Sequence, residues 1–155
     1  IGPLINAAAV SKVARHIDDA LSKGGRLLCG GIPAGDSQFV QPTVLGEAHA
    51  GMLLANEETF GPVAPLMRFT DEAEALALAN ATPYGLAAYF FTQDLRRSWR
   101  FGEALEFGMV GLNTGLISME VAPFGGMKQS GLGREGSKYG LDEYLEVKAF
   151  HIGGL

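Results

Sequence analysis

The stretch Leu86-Ala87-Ala88-Tyr89-Phe90-Phe91 is an unbroken apolar run, and a second run, Met109-Val110-Gly111-Leu112, follows it at the distance of one helix. Between the two runs, Asp94 stands where it can cap the start of a helix, and Gly108 stands where a helix can end. Continuous apolar strands joined by a helix are typical of parallel strands that are covered by helices. The stretch therefore predicts an α/β fold.

The same order extends toward the N-terminus. Residues Val63 to Phe69 form another apolar run, and it is followed by a helical pattern from Asp71 to about Ala81. Asp71 and Glu74 have the spacing of a capping box at the start of that helix. The chain from Val63 to Leu112 thus predicts strand, helix, strand, helix, strand.

The first part of the chain predicts one amphipathic helix and little regular structure after it. Apolar residues recur with helical spacing between Val10 and Leu21, Asn6 can cap the start, and Gly24-Gly25 can end the helix. Arg26 to Cys29 predicts a short strand, and Phe39 to Leu45 an extended segment interrupted by a proline.

Composition excludes several classes of function. The chain has 155 residues, a net charge of -5 and no dense run of basic residues, so we expect no nucleic-acid partner. No apolar run approaches the roughly 20 residues of a membrane helix, and we expect no membrane partner. The three histidines, His16, His49 and His151, lack metal-ligand spacing with one another or with Cys29, so we expect no metal.

Cys29 is the single thiol and cannot form an internal disulfide, which indicates a reducing, cytoplasmic setting. It ends an apolar strand with no base nearby in sequence. We therefore expect a small buried side chain rather than a nucleophile.

Asn56 to Val63 places two acids and an aromatic residue before a Gly-Pro turn that opens a strand. A rigid element can hold such side chains against a ligand. From these residues alone two interpretations are open, a cofactor site or a solvated acidic loop.

The region from Thr114 to Gly140 is rich in glycine and serine and predicts loops. Its segment Gly131 to Gly136 matches the dinucleotide fingerprint G-x-G-x-x-G, but no strand precedes it, so we interpret it as a loop of tight turns. Ser118 lies among apolar side chains before Phe124. It can orient a small polar ligand or make a local turn hydrogen bond.

Glu143 to Ile152 alternates in character and predicts a strand with two different faces. Such a strand needs a partner edge. It can pair with a second subunit or close an edge of its own sheet, and the pattern leaves both open.

Four motifs together resemble the aldehyde dehydrogenase superfamily, and within it the succinate-semialdehyde dehydrogenases. They are Asn56–Val63, Tyr84–Ala88, Val110–Gly115 and Pro123–Glu135. The resemblance covers essentially all 155 residues and implies the C-terminal third of such an enzyme. It implies a partial Rossmann-like catalytic domain at 1–142, with helices over a mostly parallel sheet, and an oligomerisation strand and tail at 143–155.

The resemblance also implies roles for single residues. Glu58 matches the glutamate that binds the nicotinamide ribose of NAD or NADP, and Phe60 the aromatic residue beside the nicotinamide ring. Ser118 matches the serine that binds the carboxylate of a semialdehyde substrate, together with arginines from elsewhere. Phe124 matches the aromatic residue that lines the aldehyde tunnel.

The catalytic cysteine, the general base and the dinucleotide-binding domain of the resembled enzymes have no match in these residues. Cys29 does not replace that cysteine. We therefore expect an NAD(P)-dependent homo-oligomer as the intact enzyme, oxidising succinate semialdehyde through a thioester, and residues 1–155 to be inactive alone, with no tightly bound cofactor. Two alternatives stay open, another aldehyde as substrate and a non-catalytic oligomerisation module.

Overall fold

A computed structural model of the protein describes residues 1–33, 35 and 37–154. The chain forms two compact units, an N-terminal unit, Ile1–Leu78, and a C-terminal unit, Ala79–Leu155. The predicted boundary at residue 143 separates a catalytic part from an assembly part, and it stays a prediction. In chain order the elements are α1 Ala7–Ser22, β1 Arg26–Cys29, β2 Thr43–Gly46, α2 Leu53–Asn56, β3 Val63–Pro65, α3 Glu72–Asn80, β4 Tyr84–Gly85, β5 Ala87–Phe90, α4 Leu95–Ala104, β6 Met109–Leu112, β7 Met127–Lys128 and a 3₁₀ helix Tyr139–Tyr144.

Helix α1 confirms the predicted amphipathic helix and is the main packing element of the N-terminal unit. The side chain of Asn6 accepts a hydrogen bond from the Ala9 amide at 2.9 Å, as expected of an N-cap. The buried face of α1 carries Val13, Ile17 and Ala20. Val13 and Ile17 pack with Val40 in one apolar cluster, and Ala20 packs with Leu45, Ala48 and Met52 in a second. The helix is therefore held by its apolar face more than by its intrinsic propensity.

The sheet of the N-terminal unit has the order β1-β2-β3, with β2 in the centre. β2 pairs antiparallel with β1 and parallel with β3. Leu45 of β2 is fully buried and packs with Met52, while Val63 of β3 contacts both apolar clusters. The predicted strand Val63 to Phe69 was too long, because β3 ends at Pro65 and the bonding to β2 ends with the Leu66 amide, which donates to the Leu45 carbonyl.

The C-terminal unit confirms the strand, helix, strand prediction on which the α/β class rested. β5 and β6 are parallel neighbours, in register from Ala87 with Met109 to Phe90 with Leu112, and α4 connects them. Asp94 caps α4 by accepting from the amides of the first turn. Helix α4 ends at Ala104, four residues earlier than the predicted stop at Gly108.

Asn113 joins the ends of the parallel pair. It directly follows β6 and has a φ of 55°, in the left-handed region that asparagine tolerates. Its side-chain oxygen accepts from the Thr92 amide at 2.8 Å, and its Nδ2 donates to the Thr92 carbonyl at 2.7 Å. These two bonds hold the start of the loop after β6 against the chain that leaves β5.

The strand pairings are mixed rather than mostly parallel. β4 and β7 form a separate antiparallel pair, with Tyr84 opposite Lys128 and Gly85 opposite Met127. Of the four pairings among the described strands, two are parallel and two antiparallel. Apolar runs indicate burial, but they do not encode the direction of a neighbouring strand.

The predicted terminal strand Glu143 to Ile152 pairs with no other described segment of the chain. Its first two residues belong to the 3₁₀ helix, and residues 145–154 have no regular secondary structure. Leu145 is extended, with φ -118° and ψ 141°. The alternative in which this segment closes an edge of its own sheet is therefore wrong for the described chain.

Candidate functional site

The candidate cofactor loop is the segment Glu57–Gly61, which runs from the end of α2 to the start of β3. Along this segment burial alternates strictly: Glu57, Thr59 and Gly61 are partly buried, whereas Glu58 and Phe60 are exposed. Glu57, where the segment begins, is extended with φ -115° and ψ 131°, and extended backbone turns successive side chains to opposite faces. The loop therefore presents Glu58 and Phe60 outward from a packed backbone.

Helix α1 anchors the packed face of the loop. His16 is fully buried, and its Nδ1 lies 3.1 Å from the Thr59 hydroxyl while its Nε2 lies 3.2 Å from a carboxylate oxygen of Glu57. Arg15 donates to the same Glu57 oxygen at 2.8 Å. Lys12 donates from its Nζ to the backbone carbonyl of Glu58. Arg15 and His16 follow Lys12 by three and four positions, so the three side chains lie on one side of the helix.

These contacts fix the charge of Glu57. The hydrogen bond from His16 holds the pKa of this carboxyl below its ordinary value, and Arg15 adds to the effect, while partial burial opposes it. Glu57 is therefore an anion that faces the helix. Sequence analysis predicted no role for Glu57, and its contacts with Arg15 and His16 show that it anchors the loop to α1.

Glu58 and Phe60 form the free face of the loop. Within the described residues, the Glu58 carboxylate takes part in no hydrogen bond or ion pair, and Phe60 is 76% exposed. Phe60 also has a φ of 50°, which is uncommon for an aromatic residue and occurs most often where the surrounding chain enforces it. An exposed carboxylate can accept from both hydroxyls of a vicinal diol, and an exposed ring can cover a flat heterocycle, so these two side chains fit a nicotinamide and its ribose.

The candidate substrate site lies in the C-terminal unit. Phe124 and Glu135 form an antiparallel bridge, in which the Phe124 amide donates to the Glu135 carbonyl at 2.8 Å and the Glu135 amide donates back at 2.6 Å. The Ser137 amide donates to the Glu120 carbonyl at 2.9 Å. These three backbone hydrogen bonds hold the loop from Glu120 to Phe124 against the segment from Glu135 to Ser137.

Ser118 and Phe124 line one open cavity of about 490 Å³, together with Met119, Glu120, Ala122, Glu135 and Gly136. The structure therefore brings the two predicted substrate residues together. The lining contains two acids and no basic side chain. The nearby guanidinium of Arg134 donates to the backbone carbonyls of Gly126 and Gly133 at 2.8 and 2.7 Å. Within this cavity the Ser118 hydroxyl is the donor that a substrate anion can use.

The glycine-rich segment Gly131–Gly136 is a set of tight turns, as expected, and no α-helix begins after it in the described chain. Gly131, Gly133 and Gly136 have φ values of 113°, 77° and 63°, all in the region that favours glycine. The next element is the short 3₁₀ helix. A pyrophosphate site of the dinucleotide type needs an α-helix N-terminus at this point.

Cys29 is exposed, so the prediction of a buried side chain was wrong. It ends β1, an edge strand of the N-terminal sheet whose four residues are all exposed. Its Sγ lies 3.8 Å from the Pro42 carbonyl.

Among residues 1–33, 35 and 37–154, no three His, Cys, Asp or Glu side chains come together as a metal site requires. No helix in that part of the chain is both long and apolar enough to cross a membrane.

Sequence reasoning missed the anchoring residues His16, Glu57 and Thr59. The sequence of the loop carries no signal for them, because Glu57 and Glu58 are the same residue type but face opposite ways in the structure. The partner on α1 lies more than forty positions away in the chain. No local pattern identifies a contact of that kind.

Residues 1–150 match the sequence profile of the Aldehyde dehydrogenase family. The chain therefore belongs to the aldehyde dehydrogenase family, a family of oxidoreductases.

Individual relatives narrow the comparison. Succinate-semialdehyde dehydrogenase (NADP+) GabD of Escherichia coli K12 is 60% identical over 154 residues, which cover 99% of this chain and 32% of that protein. Glutarate-semialdehyde dehydrogenase of Pseudomonas aeruginosa is 57% identical over 155 residues, again 99% of this chain and 32% of that protein. The crystal structure of an E. coli NADP-dependent enzyme superposes with a TM-score of 0.92 at 60% identity, covering 96% of this chain and 31% of that one.

These similarities confirm the α/β class and the resemblance to succinate-semialdehyde dehydrogenases. The chain spans about a third of the length of the relatives it matches.

Proposed function

We propose that these residues form the C-terminal part of an NAD(P)-dependent semialdehyde dehydrogenase, with succinate semialdehyde as the substrate and succinate as the product. The observation that carries the proposal is the free face of the cofactor loop, where Glu58 and Phe60 stand exposed on a backbone held by α1. The names of the two relatives support a substrate with an aldehyde at one end and a carboxylate at the other.

In this proposal Glu58 binds and orients the nicotinamide ribose. Its carboxylate accepts from the vicinal hydroxyls, and Phe60 packs beside the ring. The nicotinamide, when bound, supplies the hydride acceptor of the oxidation. The role of this chain is to hold the ring in one position, which limits the geometries in which the reaction can occur.

In the same proposal, Ser118 and Phe124 bind the aldehyde substrate. The Ser118 hydroxyl donates to the carboxylate of the semialdehyde, while Phe124 forms an apolar wall for its methylene chain. Because the lining of this cavity carries no basic side chain, the proposal requires cationic residues from elsewhere in the intact enzyme. The same chemistry suits glutarate semialdehyde, which is one methylene longer, and an uncharged aldehyde would not use Ser118.

The test of the cofactor role is Glu58→Gln in the intact enzyme. We expect weaker binding of NADPH and NADH in fluorescence titrations and an unchanged thermal unfolding midpoint. Glu103→Gln is the matched control, because Glu103 is an exposed glutamate on α4. If Glu58→Gln and Glu103→Gln bound both cofactors as tightly as the parent enzyme, the assignment of Glu58 would fall.

We propose that residues 1–155 contribute neither of the reacting groups of this mechanism, which are a catalytic cysteine that carries the thioester and a general base. We propose that this chain alone is inactive and binds no cofactor tightly. Aldehyde-dependent formation of NADH or NADPH by the purified 155-residue chain would contradict this.

We also propose a cytoplasmic location, which the single cysteine supports because it cannot form an internal disulfide.

A second candidate function is assembly through the C-terminal segment. Val147 is fully exposed, Phe150 is 81% exposed, and the extended segment that carries them has no strand partner among the described residues. A segment of this kind can pair with an edge of another subunit. We propose homo-oligomer formation through residues 143–155. Sedimentation of the chain as a monomer over a wide concentration range would count against it.

A further inference from the structure

We infer that His16 is a positioning residue for the cofactor loop, acting through Glu57 and Thr59 on the exposed pair Glu58 and Phe60. The inference deepens the proposed function and rests on it, because it assumes that Glu58 and Phe60 meet the nicotinamide end of the cofactor. His16 itself lies on α1 and makes its contacts from a fully buried position.

The first argument is the identity of the hydrogen-bond partners of the two ring nitrogens of His16. A buried histidine with a purely local role often bonds the backbone of its own or a neighbouring element. Both ring nitrogens of His16 instead contact side chains of the cofactor loop, Glu57 and Thr59, at 3.2 and 3.1 Å. One rigid ring therefore joins two positions of the loop that are two residues apart.

The second argument is the protonation pattern that these partners impose. The Glu57 carboxylate is ionised and can only accept, so the Nε2 of His16 must donate to it. The other ring nitrogen, Nδ1, lies 3.1 Å from the Thr59 hydroxyl, which can both donate and accept, so this contact is satisfied as well. One ring thus bonds two side chains of the loop at once, which ties the ring orientation to the rotamers of Glu57 and Thr59.

The third argument is the position of Glu58 and Phe60 relative to the two anchoring residues, Glu57 and Thr59. Glu58 lies between Glu57 and Thr59, and Phe60 follows Thr59 with a φ of 50°. A residue in that region keeps its conformation when the chain around it is held in place. Releasing Thr59 gives Phe60 freedom to return to common backbone angles, which moves the ring and the Glu58 carboxylate away from their present positions.

The test uses Thr59→Val and Thr59→Ser in the intact enzyme, since valine keeps the shape of threonine without its hydroxyl and serine keeps the hydroxyl. The readouts are the Kd of NADPH and of NADH by fluorescence titration, the KM of the semialdehyde, and the thermal unfolding midpoint. We expect Thr59→Val to raise the Kd of the preferred cofactor about three- to tenfold, the effect of one hydrogen bond. We expect the KM of the aldehyde to change less than twofold and Thr59→Ser to restore the Kd.

His16→Phe removes both bonds and should raise the Kd at least as far as Thr59→Val, if it folds. Leu45→Val is the control for general destabilisation, because Leu45 is a buried core residue in the same unit with no bond to the loop. It should lower the unfolding midpoint and leave the Kd unchanged.

Two results would overturn the inference in distinguishable ways. If Glu58→Gln weakens cofactor binding but Thr59→Val does not, Glu58 binds the cofactor and His16 does not position it. If Thr59→Val raises the Kd no more than Leu45→Val does at an equal loss of stability, the contact serves stability alone. A null effect of Glu58→Gln would instead remove the cofactor role of the loop itself.

Discussion

Gly61 packs directly against the Cγ2 methyl of Val13, and a Cβ on Gly61 would overlap that methyl group. The glycine thus lets the cofactor loop come close to α1 immediately after Phe60. Val13 is fully buried in the same apolar cluster as Ile17, so it has little room to move aside. This close approach explains why glycine stands at position 61, the first residue of the Gly61-Pro62 pair.

Gly61→Ala should therefore destabilise the protein by about 1 to 3 kcal/mol, as expected when one methyl group is forced into a packed core. Urea unfolding of the variant measures this. The double variant Val13→Ala with Gly61→Ala should show a smaller loss than the sum of the two single variants, because the overlap disappears. Additive losses would mean that the two residues do not compete for the same space.

The pKa of the Glu57 carboxyl is lowered in the folded chain, chiefly by the hydrogen bond from His16. A lowered pKa means that the ionised form stabilises the fold. This contribution is fully present above about pH 4.3, the ordinary value of a glutamate, and is lost as the pH falls through the folded pKa below it.

We therefore expect the stability advantage of the parent chain over Glu57→Gln to shrink on acidification below about pH 4.3. Equilibrium unfolding in urea between about pH 3 and pH 7 measures it. The difference between the two chains is the relevant quantity, since Asp19 and Glu47 also have lowered pKa values and contribute to the acid response of both. An advantage that grew on acidification would reverse the sign of this argument.

Some elements could be predicted because their signals are local. The strand Met109–Leu112 agrees with its prediction residue for residue, and both Asn6 and Asp94 cap the helices they were expected to start. Capping needs only a short polar side chain beside the first turn, and that information lies within a few residues. The resemblance to a family then added the candidate roles of Glu58 and Ser118, which remain predictions.

Other features depended on distant parts of the chain. The length of β3 is set by the few residues of β2 available to pair with it, not by the apolar run that continues to Phe69. Cys29 is exposed because β1 lies at a sheet edge in the described chain. The role of His16 depends on a loop more than forty residues away. None of these three facts has a signature in the surrounding sequence.

The N-cap of α1 offers a direct test of how firmly the anchoring helix is held. Asn6→Ala removes the acceptor for the Ala9 amide and should cost about 1 kcal/mol of stability. Asn6→Ser keeps a capping oxygen and should restore most of it. Thermal unfolding of the three chains compares them. An unchanged midpoint for Asn6→Ala would show that α1 does not depend on this bond.

Ser118→Ala in the intact enzyme tests the substrate assignment. Within its cavity Ser118 supplies the hydroxyl, while Glu120 and Glu135 supply negative charge. A hydrogen bond to a charged group contributes about 1.5 to 3 kcal/mol, so kcat/KM for succinate semialdehyde should fall about tenfold to a hundredfold. For an uncharged aldehyde of similar length it should not fall, since no anion is left unpaired.

Ser118→Thr keeps the hydroxyl and should retain the preference for the carboxylated substrate, which separates a lost hydrogen bond from a general disturbance of the loop. The comparison of the two aldehydes is what decides the role, because damage to the loop would lower kcat/KM for both. If Ser118→Ala lowered both values by the same factor, Ser118 would shape the cavity without recognising the carboxylate, and the preference for a semialdehyde would have to come from other residues of the intact enzyme.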